Sequence, residues 1–277
     1  MRKRITLPPW FALLPALVPL VFFLGSALVL TAWEARGAFG QVWESPGFRT
    51  SLIFSAKVGF WSSTLSTFLA LALSFGVVRP FGRRSPWSTS LDPLLYLPLI
   101  LPPIAVGYLA VFWLGPGGMI ARFAAALGLD FRSPLFQGDG WGIILAYIYK
   151  ETPFGLLFLV PGIQAFPRPM ISTALGLGSS RARVFWTLML PRLLPALGTV
   201  FLILFIFTFG AYDIPFVVGE SSPSMISQYL YRAYFVSPLD QRPLASAGLT
   251  ILFGLSLGVL GGYSYVAAFL DEKERTL

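Results

Sequence analysis

Between residues 170 and 191 the chain reads Met-Ile-Ser-Thr-Ala-Leu-Gly-Leu-Gly-Ser-Ser-Arg-Ala-Arg-Val-Phe-Trp-Thr-Leu-Met-Leu-Pro. This polar, basic insert separates two long apolar runs, which places it outside a bilayer while both its ends are anchored there. Two short helix-compatible pieces meet at Gly178, and Leu190-Pro191 closes the insert just before the chain re-enters the apolar phase. A bare connection between helices needs only a few residues. An insert of this length with helix signals of its own reads as a surface that another protein grips.

The composition agrees with a membrane chain. Hydrophobic residues make up 56% of the 277 and charged residues 12%, against about a quarter charged in a soluble domain. Five apolar runs are long enough to cross a hydrocarbon core of about 30 Å, and a sixth is interrupted by proline. The expected fold is all-α, with six transmembrane helices near 10–33, 51–78, 92–114, 141–162, 193–212 and 247–269. The first run, Trp10 to Trp33, follows Met1-Arg2-Lys3-Arg4. It is longer than the ~7–15 apolar residues of a signal peptide, so it reads as a retained helix. The organisation expected is an N-terminal helix and outer loop over 1–50, a five-helix core over 51–269 that carries a cytoplasmic loop at 163–192, and a cytoplasmic tail over 270–277.

Basic residues orient these spans. With the N-terminus inside, inner segments collect Arg2, Lys3, Arg4, Arg79, Arg83, Arg84, Arg168, Arg181, Arg183, Arg192, Lys273 and Arg275. Outer segments hold Arg36, Arg49, Arg122, Arg132, Arg232 and Arg242. Twelve against six is the positive-inside bias, and it puts both termini and the 170–191 insert in the cytoplasm of a bacterial-type inner membrane. The net charge of +8 is then a topology signal and not a nucleic-acid footprint. The chain has no histidine and no cysteine, which removes imidazole acid–base chemistry, thiolate chemistry and the commonest metal ligands. No phosphate-cradling Gly-x-x-x-x-Gly-Lys-Ser/Thr occurs either. No catalytic residue, metal site or cofactor is expected on this chain, and if transport across the membrane is driven by ATP, the nucleotide and its Mg²⁺ have to bind a separate polypeptide.

Two spans are irregular. Leu97-Pro98-Leu99-Ile100-Leu101-Pro102-Pro103 removes three backbone donors within the third span. In lipid it survives as a kinked packing helix, or beside a pathway, where neighbours satisfy the freed carbonyls. After the fifth span, Phe209-Gly210-Ala211-Tyr212-Asp213-Ile214-Pro215 punctuates an apolar stretch. Either a broken helix presents Tyr212 and Asp213 to a solute, or Asp213 caps a helix in an outer loop. Residues 117–128 read as a short interfacial helix or a lid, with Met119, Ile120, Phe123 and Leu127 on one face.

Three ionisable residues lie within the spans, where charge is costly. Lys57 is near enough to a span end either to snorkel outward or to meet solute. Lys150 and Glu151 are deeper, beside Tyr149, whose carbonyl loses its donor to Pro153. Consecutive helical residues do not face each other. Lys150 and Glu151 therefore each seek a partner on another helix, another subunit or the solute. A secondary transporter would use the two as an ion relay.

The insert resembles the cytoplasmic coupling loop, or EAA loop, of ABC-importer permeases. Ser172-Thr173-Ala174 stand at the family's small-residue triplet, Gly178 at its glycine and Leu190-Pro191 at its closing pair. The departure is Ser172, where the family commonly has Glu. The resemblance implies a type I permease subunit that is not itself an enzyme. It would pair with a second permease, two ATPase subunits and an extracytoplasmic solute-binding protein, all within membrane lipid. Arg181 and Arg183 would contact acidic residues of the ATPase, or would simply follow the positive-inside rule. The regions around Gly107 and Tyr212–Tyr231 resemble permeases for polyamines, iron, thiamine, sulfate and molybdate. They imply a small charged solute such as a polyamine or ferric iron, with an oxyanion as the alternative.

Overall fold

The computed structural model describes residues 14–78, 80–81, 94–219 and 222–275. Residues 1–13, Arg79, Arg83, Arg84, 92–93, Glu220 and 276–277 lie outside them, with the parts of the expected spans and basic clusters that fall there. Among the described residues the chain is helical, with no strand. Its elements are α1 (Leu14–Glu34), α2 (Phe39–Glu44), α3 (Pro46–Val78), α4 (94–100), α5 (Pro103–Leu114), α6 (Met119–Ala126) and α7 (Trp141–Gln164). Then come α8 (Arg168–Gly176), α9 (Arg181–Val184), α10 (Leu190–Gly210), α11 (Asp213–Val218), α12 (Ile226–Tyr231) and α13 (Arg242–Arg275).

Five helical runs are long and apolar enough to cross a membrane: Pro46–Val78, Pro103–Ala126, Trp141–Gln164, Arg181–Gly210 and Leu239–Tyr263. At the first of the six expected spans stands α1, a shorter apolar helix over Val21–Glu34 among the described residues. Their boundaries differ from the sequence reading in three instructive places. The third span is two helices, because Pro102 and Pro103 have no N–H to offer the carbonyls of Pro98 and Leu99 four residues back. The helical run that carries the fifth span begins at Arg181, before residue 193. Leu190-Pro191 does not interrupt that run, since a wide turn over Phe185–Met189 joins α9 to α10. In that turn the Leu190 N–H donates to the Phe185 carbonyl, five residues back. The widened ladder is how the helix passes Pro191, which cannot bond the residue four before it. Finally, α13 continues as helix to Arg275, through most of the expected tail.

The described residues form two compact units. The smaller lies within 1–48 and 230–257. Within it Glu34 accepts a 2.8 Å hydrogen bond from the Ser246 hydroxyl, and Gly248 lies against Leu230 and Phe48, where a Cβ would sit 2.4 Å from Leu230. The larger lies within 49–229 and 258–277. It is organised around α7, which buries residues from Gly142 to Ile163. One apolar cluster gathers Val58, Ile144, Tyr147, Ile214 and Met225 near the Trp141 end of α7. Another gathers Ala70, Leu159, Met189, Val200 and Leu204 near its Gln164 end. Lipid is as apolar as these side chains, so close packing and not water exclusion holds such helices together. The α3–α7 seam fits that rule: α3 presents buried Ser62, Ser63, Ser66, Ala70 and Ser74, and a Cβ built on Gly155 of α7 would sit 2.6 Å from that of Ala70.

Candidate functional site

The 170–191 insert is a helix–turn–helix whose turn is built by glycine. Gly178 has φ +88°, a conformation that disfavours every residue with a Cβ. Its N–H donates to the Leu175 carbonyl at 3.0 Å, and the Ser179 N–H donates to the Ala174 carbonyl at 3.1 Å. This pair of bonds is the Schellman ending of a helix, with glycine at its left-handed position. Ser180 then caps α9, its hydroxyl accepting from the Arg183 N–H at 3.2 Å. Ile171, Val184 and Met189 are buried and anchor the insert to Ile163 and Phe166.

The other face is open. Ser172, Thr173, Gly178, Arg181, Arg183 and Pro191 are exposed, and Ala174 and Leu190 half-buried. The Ser172 hydroxyl donates to the Pro169 carbonyl of its own helix at 2.9 Å. Leu177, which the motif did not single out, is 82% exposed at the apex of the turn, and Trp186 is 64% exposed on the following helix. Large apolar side chains this exposed, in a stretch that also carries exposed Arg181 and Arg183, mark a surface suited to contact.

A second constellation lies near the middle of α7. Lys150 comes nine residues after Trp141, about 14 Å along a helix of 24 residues that is about 36 Å long. Its ammonium donates to the carbonyls of Pro98 at 3.0 Å, Leu99 at 3.1 Å and Leu101. An ammonium has three donors, and all three are committed. Glu151, 2% exposed, turns elsewhere, accepting from Ser66 of α3 at 3.3 Å and from Thr208 of α10. The two residues thus bind different helices, as their 100° separation requires. They and Leu99, Phe154, Ile203, Leu204 and Phe207 line a cavity of about 200 Å³.

The remaining sequence candidates scatter around this centre. Tyr149 is 41% exposed and lines a cavity of about 320 Å³ with Val106, Trp113 and Leu145. Tyr212 stacks on Phe216 with ring centroids 5.3 Å apart. Asp213 is exposed as the first residue of α11, whose N-cap is Tyr212, and the Tyr212 side chain makes no capping hydrogen bond. The Ser227 hydroxyl donates to the carbonyl of Ala211, at the break before α11. Lys57 lies apart, near the other end of α7, where it donates to the Asp139 carbonyl at 2.9 Å. Among the described residues no group of three or more acidic, histidine or cysteine side chains could hold a metal ion.

Comparison with known proteins adds an independent observation. Residues 69–269 match the model of the family described as binding-protein-dependent transport system inner membrane component. The chain is 25% identical over 258 residues to the molybdenum transport system permease protein of Mycobacterium bovis, covering 92% of this chain and 93% of that one. It is 28% identical over 234 residues to the sn-glycerol-3-phosphate transport system permease protein of Yersinia enterocolitica, covering 82% and 75%. In fold it is similar to a chain in the crystal structure of a bacterial alginate ABC transporter in complex with an alginate-bound periplasmic protein, with a TM-score of 0.80 at 17% identity over 94% of each chain.

Proposed function

This chain belongs to the family of binding-protein-dependent transport system inner membrane components, and from that premise we propose that it imports a small anionic solute of the oxyanion or phosphate-ester class, coupled to a separate ATPase through α8 and α9. It is a multi-pass inner-membrane permease subunit of an ABC importer, and not an enzyme. The observation that carries the coupling assignment is the helix pair turning at Gly178, anchored by Ile171 and Val184 and offering Leu177, Arg181 and Arg183 outward. In this reading Leu177 enters an apolar groove of the ATPase while the two arginines meet acidic residues at its rim. Ser172, Thr173 and Ala174 face the same partner, and Leu190-Pro191 passes the motion into α10. The insert lies in the cytoplasm with both termini, and ATP and Mg²⁺ bind the partner. A second permease chain, two ATPase chains and an extracytoplasmic binding protein complete the importer.

The solute class follows from the relatives and from the spans. One relative is named for molybdenum, whose dissolved form is an oxyanion, and another for a phosphate ester. These names favour the oxyanion alternative over the polyamine or iron reading. Tyr149, Tyr212 and Asp213 border the pathway, where the tyrosine hydroxyls can donate to an anion and the Asp213 carboxylate holds it at a distance. Lys57 stands nearer the mouth, where a cation attracts an anionic solute.

The test is uptake by the reconstituted importer together with cross-linking. Leu177→Cys is expected to form a cross-link to the ATPase and to no other chain, and Leu177→Asp to abolish uptake while the chain still inserts. Uptake that competes with molybdate or a phosphate ester supports the anion class. Competition by a polyamine instead would overturn it.

A further inference from the structure

Two spans of the larger unit are broken, and both breaks lie at the level of Lys150 and Glu151. We propose that these two consecutive residues are positioning residues for transport: they clasp the breaks to α7, so that the half-helices α5 and α11 turn as one body at the end of the rod formed by α9 and α10.

The first clasp follows from counting along the backbone. In a continuous helix the carbonyls of Pro98 and Leu99 would accept from the N–H groups of residues 102 and 103. Both of those are prolines and have none. Lys150 supplies the two missing donors, at 3.0 and 3.1 Å, and its third reaches the Leu101 carbonyl in the link itself. One side chain of α7 therefore replaces the hydrogen bonds that two prolines removed from another span. The break is satisfied, and it is satisfied only while α7 stays in place.

The second clasp is Glu151. It accepts from Thr208, two residues before α10 ends at Gly210, and from Ser66 on the opposite side. Beyond Gly210 the ladder stops: the Ala211 N–H turns back to Thr208 at 3.2 Å, and the carbonyl of Ala211 takes the Ser227 hydroxyl. Thr208 thus ends a helical run that begins at Arg181 in the insert, and Glu151 holds that end.

The half-helices beyond the breaks are packed on each other. Gly107 of α5 lies so close to α11 that a Cβ there would be 2.9 Å from that of Val217. A displacement of the insert travels along the Arg181–Gly210 run to Thr208. It crosses the break beside Glu151 and moves α11 with α5, while Lys150 keeps the other end of α5 on its pivot. The carboxylate and the ammonium do not need to touch solute for this. They fix where the two spans bend.

The inference rests on the reading of α8 and α9 as the ATPase contact, and the experiment separates the two. Purified importer is reconstituted in lipid vesicles, and solute taken up is measured per ATP hydrolysed. Thr208→Val keeps the shape and loses the hydroxyl. It is expected to lower uptake about tenfold while ATP hydrolysis and association with the ATPase persist, and Thr208→Ser restores the ratio. A parallel fall in both, or no change in either, would overturn the clasp. Loss of ATPase association from Leu177→Asp would instead concern only the coupling surface. A second arm does not depend on Thr208. Gly107→Ala places a Cβ 2.9 Å from that of Val217 and must wedge α5 away from α11, so it is expected to lower uptake while association with the ATPase persists, and Val217→Gly in the same chain is expected to restore uptake. Uptake unchanged by Gly107→Ala would mean that α5 and α11 need not stay packed, and the one-body proposal would fail.

Discussion

The centre of α7 and the 170–191 insert treat their polar groups in opposite ways. At the centre, Lys150 and Glu151 are buried and every contact is made within the chain, to three carbonyls and two hydroxyls. On the insert, Arg181 and Arg183 are exposed and Leu177 is 82% exposed. The difference separates two kinds of requirement. Polar groups in lipid must be satisfied by the chain itself, because an unmet group there has no water to turn to. Polar and apolar groups at the surface can wait for a partner. Removing the Lys150 ammonium, which alone serves three carbonyls, should therefore damage the fold first, and substitutions on the insert should damage the coupling alone.

Lys150→Met provides the largest contrast. It removes donors from three carbonyls at a break that has no backbone substitute, and leaving buried groups unpaired costs about 1–3 kcal/mol each. The expected outcome is a loss of about 3 kcal/mol or more, read as a lowered thermal midpoint and a poor yield of monodisperse complex in detergent. A variant that is as stable as the parent would show that the three carbonyls find other donors, and the contrast between centre and insert would lose its basis.

Gly178→Val comes next and should break the other side of the comparison. A β-branched residue at φ +88° is strained by about 1–2 kcal/mol, and that strain falls on an open turn where an added Cβ would meet no packed neighbour within 4 Å. The turn would shift and carry Leu177 with it. Thermal stability should drop only slightly, while solute uptake falls about tenfold or more at unchanged membrane insertion. Uptake equal to the parent would mean that the turn is not a coupling element.

The two regions also differ in how much the sequence disclosed. The insert was legible because its signals are local: a glycine placed for a left-handed turn, flanking helix formers and apolar neighbours on either side. Even so, the continuity of α9 into α10 was hidden, since Leu190-Pro191 reads as a stop and only the wide turn at Phe185–Met189 lets a helix pass it. The apex residue Leu177 lies between the motif positions and was missed, although a leucine next to a turn glycine in a polar insert is a readable signal. At the centre, the prolines and the unpaired Lys150 were each visible. Joining them needed a contact across about fifty residues, from Lys150 to Pro98, which no spacing rule supplies. The irregularity of the third span followed from its prolines, and its break and its partner had to come from the fold.

Lys57→Met is the finest test, because Lys57 shares the residue type of Lys150 and part of its chemistry. Both ammonium groups donate to backbone carbonyls, but Lys57 gives one such bond, to Asp139, in the loop that leads into α7. That carbonyl is exposed enough for water to replace the lysine, and the freed stem can lie along the apolar surface without its charge. The expected change is within about 0.5 kcal/mol in stability, as for most surface substitutions. Uptake should fall by about twofold at low salt and less at high salt, where screening already weakens attraction between an exposed cation and an anionic solute. If Lys57→Met destabilises as much as Lys150→Met, burial and donor count are not what distinguishes the two lysines. If uptake falls equally at low and high salt, Lys57 acts through contact and not through its field, and the pathway begins deeper than the mouth.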